Sequence, residues 1–342
     1  MKFDKIPNFI FFGGGQTLTE FVRRLKGWDQ DVFVVLSQRH ADENMATDQA
    51  PQTLQQFCEA EIIPYYISQD VNTDEKMLKK IKQGTVGVSL GAAWIFKGPF
   101  IKRFDGRLLN VHGMRLPQNR GGGGFSWTIL QGDRTGGCTI HQVEPGIDTG
   151  AIVKQRKFSY SNQCRIPADY HKEYVREAGF LWEEFLQEIK QDKDFVLTPQ
   201  KEEESTYWPR LNSQIHGFID WSWPVSAIER FICAFDEPYT GASSFLDNKR
   251  VYFKNCRLDQ SFKEIVHPFQ NGIVYRKIKE AIFVAVEGGG IAIGKVINEK
   301  GKSIFEEIKV GDRFYTPQKF LEQARLTRVE YTPEGLKKMS KK

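Results

Sequence analysis

The chain has 342 residues, of which 40% are hydrophobic, 13% aromatic and 27% charged. That is enough apolar material for ordinary cores and more length than one small domain needs, which excludes fibrous, disordered and peptide-like classes. The formal charge is +5, but Lys337, Lys338, Lys341 and Lys342 supply most of it, so the body is near neutral and offers no sustained basic face to a nucleic-acid backbone. Five cysteines, Cys58, Cys138, Cys164, Cys233 and Cys256, are scattered and never form a C-x-x-C pair. This argues against a disulfide framework and structural zinc and points to a reducing compartment. No apolar stretch approaches the ~20 residues of a membrane span, and a soluble cytoplasmic protein without a membrane partner is expected.

In chain order, short apolar runs alternate with amphipathic ones, the pattern of a doubly wound, mostly parallel Rossmann-like α/β sheet. Residues 9–12 read as a buried strand that breaks at Gly13, Gly14 and Gly15, with Thr17-x-x-Glu20 as a capping box opening a helix through Leu25. Further strands are expected at 32–36, 62–67, 86–90 and 108–111, the last running into His112, with helices at 54–60 and 74–82. A glycine-rich turn, an amphipathic stretch at 125–131 and two more strands at 138–143 and 151–158 follow. Residues 170–189 carry apolar side chains close to the 3.6 period of a long helix. These elements delimit a first domain, 1–190. Residues 192–204 hold five acids, two lysines and Pro199, and 191–207 reads as an acidic linker. Beyond it come a helix at 224–235 and β-rich runs at 243–246, 251–253, 273–275, 282–286 and 291–296. They suggest a small antiparallel barrel over 208–330, with turns at Asp247-Asn248 and Gly288 to Gly290 and a basic tail at 331–342.

Three polar residues fall at the expected C-terminal mouth of the parallel sheet, where doubly wound folds place ligands. Asn110 and His112 stand two apart at the end of one strand, so they face the same way, and Asp148 lies in the turn between later strands. An amide donor beside a histidine suits acyl transfer, because the amide can bind a developing oxyanion while imidazole handles the proton and a carboxylate tunes it. Taken alone, each is more commonly a satisfied polar residue than a catalyst. The run Gly121 to Gly124 after His112 reads as backbone left bare for close approach to a ligand.

The residues Asn110-Val111-His112, Leu116-Pro117, Arg120-Gly121, Trp127, Gly132-Asp133, Thr135-Gly136, Thr139-Ile140-His141 and Ile147-Asp148-Thr149-Gly150 resemble the signature of the folate-dependent formyltransferases. Trp208-Pro209-Arg210, Ile219-Asp220-Trp221 and Pro238-Tyr239 resemble the start of the C-terminal subdomain in methionyl-tRNA and amino-sugar formyltransferases, which leads into an OB-like barrel. The resemblance departs at Gly113-Met114, where the family often has Pro-Ser, at Arg115, where an apolar residue is usual, and at Gly124, where proline is frequent. It implies N10-formyltetrahydrofolate as co-substrate, no metal, and Asn110, His112 and Asp148 as the catalytic trio. The folate would lie between Leu90, Gly91, Ala92, Trp94 and Phe96 on one side and Val143 and Glu144 on the other.

The acceptor implied is the primary amine of a nucleotide-linked amino sugar of surface-polysaccharide (lipopolysaccharide) biosynthesis. The loop 39–51 carries Asp42, Glu43 and Asp48 against Arg39 alone, and with the acidic linker it would repel tRNA phosphate. Methionyl-tRNA formyltransferase stays as the alternative. Trp94, Trp127, Trp221 and Trp223 read as core rather than acceptor-stacking residues. An NAD(P)-binding oxidoreductase, suggested by Gly13 to Gly15, is a remote alternative, since the fingerprint would need glycine where Leu18 stands. A homodimer stays open.

Overall fold

In the computed structural model, which describes residues 1–25, 28, 30–45, 52–333 and 335–337, the apolar runs of the first half form one seven-stranded sheet. Its strands are β1 (Asn8–Gly13), β2 (Asp31–Leu36), β3 (Tyr65–Ile67), β4 (Val86–Leu90), β5 (Leu108–His112), β6 (Thr135–Gln142) and β7 (Ile152–Ser159). They lie in the order β7-β6-β5-β4-β1-β2-β3, parallel from β3 to β5 and antiparallel where β6 meets β5 and β7. Every residue of β1 and β4 is buried, as expected of central strands covered on both faces. Phe9 and Phe11 pack with Leu18, Phe21, Trp182 and Phe185 of helices α1 (Gln16–Arg24) and α3 (Pro167–Lys190). Ile10 and Phe12 pack on the opposite face with Phe96, Phe100 and Phe104.

Three local expectations change. Helix α1 starts at Gln16 with Gly15 at φ 86° as its cap and no side-chain capping bond. Thr17 therefore falls inside the first turn, and Glu20 pairs with Arg24 at 2.8 Å instead. The third strand begins at Tyr65 rather than Ile62, because Ile62 has φ 56° and a side chain 89% exposed, which breaks the extended run. The helix expected at 74–82 is the short Glu75–Leu78, capped by the Asp74 carboxylate on the N–H groups of Lys76 and Met77.

The second half folds into an antiparallel sheet of β8 (Ala242–Leu246), β9 (Lys249–Leu258), β10 (Val274–Lys277), β11 (Ile282–Val286) and β12 (Gly289–Asn298), in the order β8-β9-β12-β11-β10. Asp247 and Asn248, at φ 48° and 62°, make the two-residue turn between β8 and β9 as their sequence suggests. The two edge strands are joined by residues 311–316: Tyr315 exchanges backbone hydrogen bonds with Phe245, while Val274 donates to Asp312 and Phe314 to Gly272. This bridging segment closes the five strands into an OB-like barrel.

Residues 191–207 do not hang between the halves. Phe195 is buried, Asp194 binds the N-terminal amine at 2.7 Å, and Glu202 pairs with Arg120 at 2.7 Å. Local pairing thus offsets much of the negative charge that the sequence assigns to a free linker, and with it much of the linker's share in repelling a polyanion. Asp48, Lys338, Lys341 and Lys342 lie outside the described residues. A second apolar cluster runs through both halves: Ile129 of α2 (Gly124–Gln131) and Tyr170 of α3 join Ile228 and Ile232 of α4 (Val225–Ala234) and the barrel strands. Arg165 ties α4 to this junction through Glu229 at 2.7 Å. All five cysteines are buried and free, and no helix among the described residues is long and apolar enough to cross a membrane.

Candidate active site

Strand β5 ends at the mouth of the sheet and carries Asn110 and His112 on one face. In register, Asn110 lies beside Ser89 of β4 and His141 of β6, and His112 beside Thr139. After β6 the chain turns through Pro145-Gly146-Ile147 and returns with Asp148 at φ 55°, a left-handed conformation that a non-glycine residue rarely adopts and that often marks a functional turn. The turn brings the Asp148 carboxylate onto both strand residues: Oδ1 is 3.5 Å from Asn110 Nδ2, and Oδ2 is 3.6 Å from His112 Nδ1.

The hydrogen bonds define each group's role. His112 Nε2 lies 2.6 Å from the Asn119 carbonyl, so this nitrogen carries a proton and donates it. An imidazolium here would have an acceptor on each side, the carbonyl on Nε2 and Asp148 on Nδ1. His141 Nδ1 faces the Gln142 carbonyl at 2.8 Å and is likewise a donor. The neutral ring then accepts a proton of Asn110 Nδ2 at Nε2, 3.0 Å away. That bond fixes which way the Asn110 amide points.

Asp148 is held from behind. Its Oδ2 accepts the Gly121 N–H at 2.9 Å, and the Gln200 side-chain amide donates to the carbonyls of Asp148 and Gly150 at 2.8 and 2.7 Å. The buried Arg120 in turn donates to Gln200 Oε1 at 3.1 Å. Burial alone would raise the Asp148 pKa. Against it, a charge on His112 and the Gly121 N–H favour the ionised form, and the carboxyl is held well below the usual carboxylate range.

Asn110, His112 and Asp148 open into a cavity of about 650 Å³. Gly91, Ala92, Trp94 and Phe96 line one side, with Val143, Glu144 and Ile147 also contributing. The residues assigned to folate are thus brought together around this cavity, except Leu90. That side chain is buried, and its carbonyl accepts the Gly14 N–H. Trp94 and Phe96 contribute from largely buried positions, with the Trp94 indole N–H on the Gln69 carbonyl at 2.9 Å. Ile95 and Ile147, 80% and 54% exposed, are apolar side chains beside the cavity. Apolar walls with a few convergent polar groups at one end suit a flat pterin with a polar reacting centre.

Sequence reasoning missed His141, Gln200 and Arg120 as parts of the site. His141 stood within the quoted motif, but its pairing with Asn110 follows from antiparallel register, which the run of residues does not reveal. Gln200 lay in the stretch read as linker. The glycine run also has a different cause. A Cβ at Gly121 would run into the Trp208 carbonyl, one at Gly122 would meet Arg210 Cβ at 3.1 Å, and one at Gly124 would run into Met114. The glycines admit residues 207–211 and Met114, and they line the cavity as a consequence. Trp127 clamps the same segment through the Pro209 carbonyl at 2.8 Å, while Trp221 and Trp223 pack in the second core.

The oxidoreductase reading fails at the glycine turn. The Glu43 carboxylate accepts the Gly15 N–H, and a Cβ at Gly14 would meet that carboxylate at 2.7 Å. The start of α1, where a dinucleotide phosphate would have to sit, already faces an anion.

The formyl transferase family profile matches residues 6–176, and the profile of the family's C-terminal domain matches 212–307. A methionyl-tRNA formyltransferase of Fervidobacterium nodosum is 25% identical over 273 residues, 80% of this chain and 84% of that protein. WlaRD, a sugar 3N-formyltransferase solved with dTDP and 5-N-formyl-THF, superposes with a TM-score of 0.62 at 18% identity, covering 85% of this chain and 98% of its own. The N-formyltransferase of Helicobacter canadensis, solved with folinic acid and dTDP-3-aminofucose, gives 0.62 and 18% over 85% and 99%. With both halves of the family pattern present in order, the chain belongs to the folate-dependent formyltransferase family and is an enzyme of that family.

Proposed function

We propose that this enzyme transfers the formyl group of N10-formyltetrahydrofolate to the primary amine of a nucleotide-linked amino sugar. The observation that carries the reading is the open cavity onto which Asn110, His112 and Asp148 face. Its volume of about 650 Å³ is of the size that small ligands occupy. Glu43 stands against Arg39, which lessens the positive charge that a long phosphate backbone would need. The two sugar N-formyltransferases that superpose on most of this chain support the same choice.

N10-formyltetrahydrofolate supplies the formyl group when bound against Gly91 to Phe96 and Val143 to Ile147. One Asn110 Nδ2 proton is committed to His141. The other points toward Asp148 Oδ1, which lies 3.5 Å from Nδ2, at the limit of a hydrogen bond, and it is the one offered to the negative charge that develops on the formyl oxygen as the amine attacks. Asp148, kept ionised, faces His112 through Oδ2, and through water its Oδ1 relays the proton lost by the amine to the departing folate N10 as the bond from N10 to the formyl carbon breaks and the oxyanion collapses to the carbonyl. His112, oriented by the Asn119 carbonyl, balances the charge of Asp148 and of the developing oxyanion.

Purified enzyme with N10-formyltetrahydrofolate is offered dTDP-, UDP- and GDP-linked amino sugars in parallel with initiator Met-tRNA. Formylation of a sugar nucleotide is expected. Formylation of the tRNA alone would replace this acceptor with the alternative.

A further inference from the structure

The matched C-terminal profile ends at residue 307, yet the chain comes back to the active-site cavity after it. Helix α5 (Gln318–Leu326) leads into a short segment whose residues Arg328, Val329 and Glu330 line the same cavity as Asn110 and Asp148. The segment is anchored. His216 Nδ1 accepts the Asn212 N–H at 2.9 Å, so its proton sits on Nε2, which donates to the Thr327 carbonyl at 3.0 Å. Val329 is buried, and Arg325 pairs with Asp220 at 3.2 Å.

This anchoring presents Arg328 at the cavity. Among the described residues its hydrogen-bond partner is a phenol: Nη2 donates to Tyr207 Oη at 3.2 Å, and the guanidinium lies 5.6 Å from the centre of that ring, with the Glu330 carboxylate a more distant electrostatic neighbour. Glu330, the nearest acid in sequence, is engaged by Lys337 at 2.7 Å. A planar guanidinium with five donors, steadied on an aromatic face with one donor used, keeps donors for a doubly charged anion. Arg210, three residues after Tyr207, and Arg39 line the same cavity.

We propose that the segment after α5 is an acceptor-recognition element, and that Arg328, with Arg210, binds the diphosphate of the acceptor. This rests on the sugar-nucleotide reading and adds the residues that select the charged carrier over an uncharged amine. The family's formyl-transfer machinery lies in the first domain. The diphosphate contact comes from a part of the chain outside both matched regions.

The test is calorimetric titration of the full-length protein, Arg328→Ala and Arg328→Lys with dTDP, UDP and GDP, and with the corresponding nucleosides. Arg328 is an exposed side chain, so its truncation leaves the fold intact, which circular dichroism checks. At least one diphosphate should bind the wild-type protein, weaken by about 10- to 100-fold in Arg328→Ala, as loss of a charge-assisted hydrogen bond implies, and recover in part in Arg328→Lys. The nucleosides should bind no differently to the three proteins. Equal diphosphate affinity in wild type and Arg328→Ala, or no diphosphate binding to wild type, overturns the inference. Failure to formylate any nucleotide-linked amino sugar while Arg328-dependent diphosphate binding persists overturns the proposed acceptor and leaves the anion site standing.

Discussion

Replacing Asp148 by asparagine removes one charge and almost no volume, so it isolates the electrostatic part of the site. The carboxylate lies 3.6 Å from His112 Nδ1. At an effective dielectric constant of ~20, a pair at that separation interacts by about 5 kcal/mol, roughly three powers of ten in rate if the interaction is made in the transition state. Hydrogen bonding makes the substitution worse. Oδ2 must accept from Gly121 N–H at 2.9 Å, so in asparagine the amide nitrogen takes the Oδ1 position and faces the Asn110 amide donor. The acceptor for the substrate proton is then gone as well. We expect kcat to fall by about 10³-fold, within the span typical of lost acid–base groups, while the affinity for folate changes little because the folate walls are untouched. Steady-state kinetics with the preferred acceptor and fluorescence titration with folinic acid separate the two. A kcat within tenfold of wild type would remove Asp148 from the proton pathway and take the proposed charge balance with it.

Two further predictions follow from neighbouring contacts. His141→Ala deletes the acceptor that orients Asn110. The loss of one neutral hydrogen bond, about 1 kcal/mol, should lower kcat by about fivefold to tenfold with acceptor KM unchanged, and an unaltered kcat would show that Asn110 needs no such orientation. His40 is buried, and burial, together with the charges of Arg39 and Arg210, lowers its pKa from 6.5 to about 4. Because the unfolded chain takes up this proton first, stability should be full above pH 6.5, decline as pH falls through that value, and stop declining on this account near pH 4. The shift corresponds to at most about 3 kcal/mol. Thermal midpoints of wild type and His40→Gln across pH 4–7 should differ in slope, and parallel curves would show that His40 does not carry the dependence.

Periodicity and composition made much of the architecture readable, and for a physical reason. Central strands such as β1 and β4 are buried on both faces, so they must be apolar throughout, while α3 buries only one stripe and keeps a 3.6-residue period. Where the sequence misled, a local signal competed with backbone geometry. Thr17 and Glu20 carry capping-box chemistry, yet Gly15 at φ 86° started the helix first. The positive φ of Ile62 is not written in its side chain. The site was half legible. Asn110 and His112 share a strand face by simple alternation, whereas His141, Gln200 and Gly121 reach them through antiparallel register and chain packing over separations that no local pattern encodes.

The Arg120-Gly121 pair shows how that long-range part works. Arg120 holds Gln200, which holds the carbonyls of the Asp148 turn, while the Gly121 N–H holds the carboxylate itself. The same two residues pair in parallel with Tyr207 and Trp208, and Tyr207 carries Arg328. Two adjacent residues therefore fix the carboxylate proposed to handle the proton and seat the strand that supports the proposed acceptor contact. A side chain at Gly121 could not be accommodated without moving one of them, since its Cβ would occupy the space of the Trp208 carbonyl. The absence of a side chain is what lets the second half of the chain lie against the catalytic turn. On this view the barrel and the segment beyond α5 act in acceptor selection by being packed onto the chemistry, which gives a physical reason for an enzyme whose Asn, His and Asp all lie in the first domain to keep a second one.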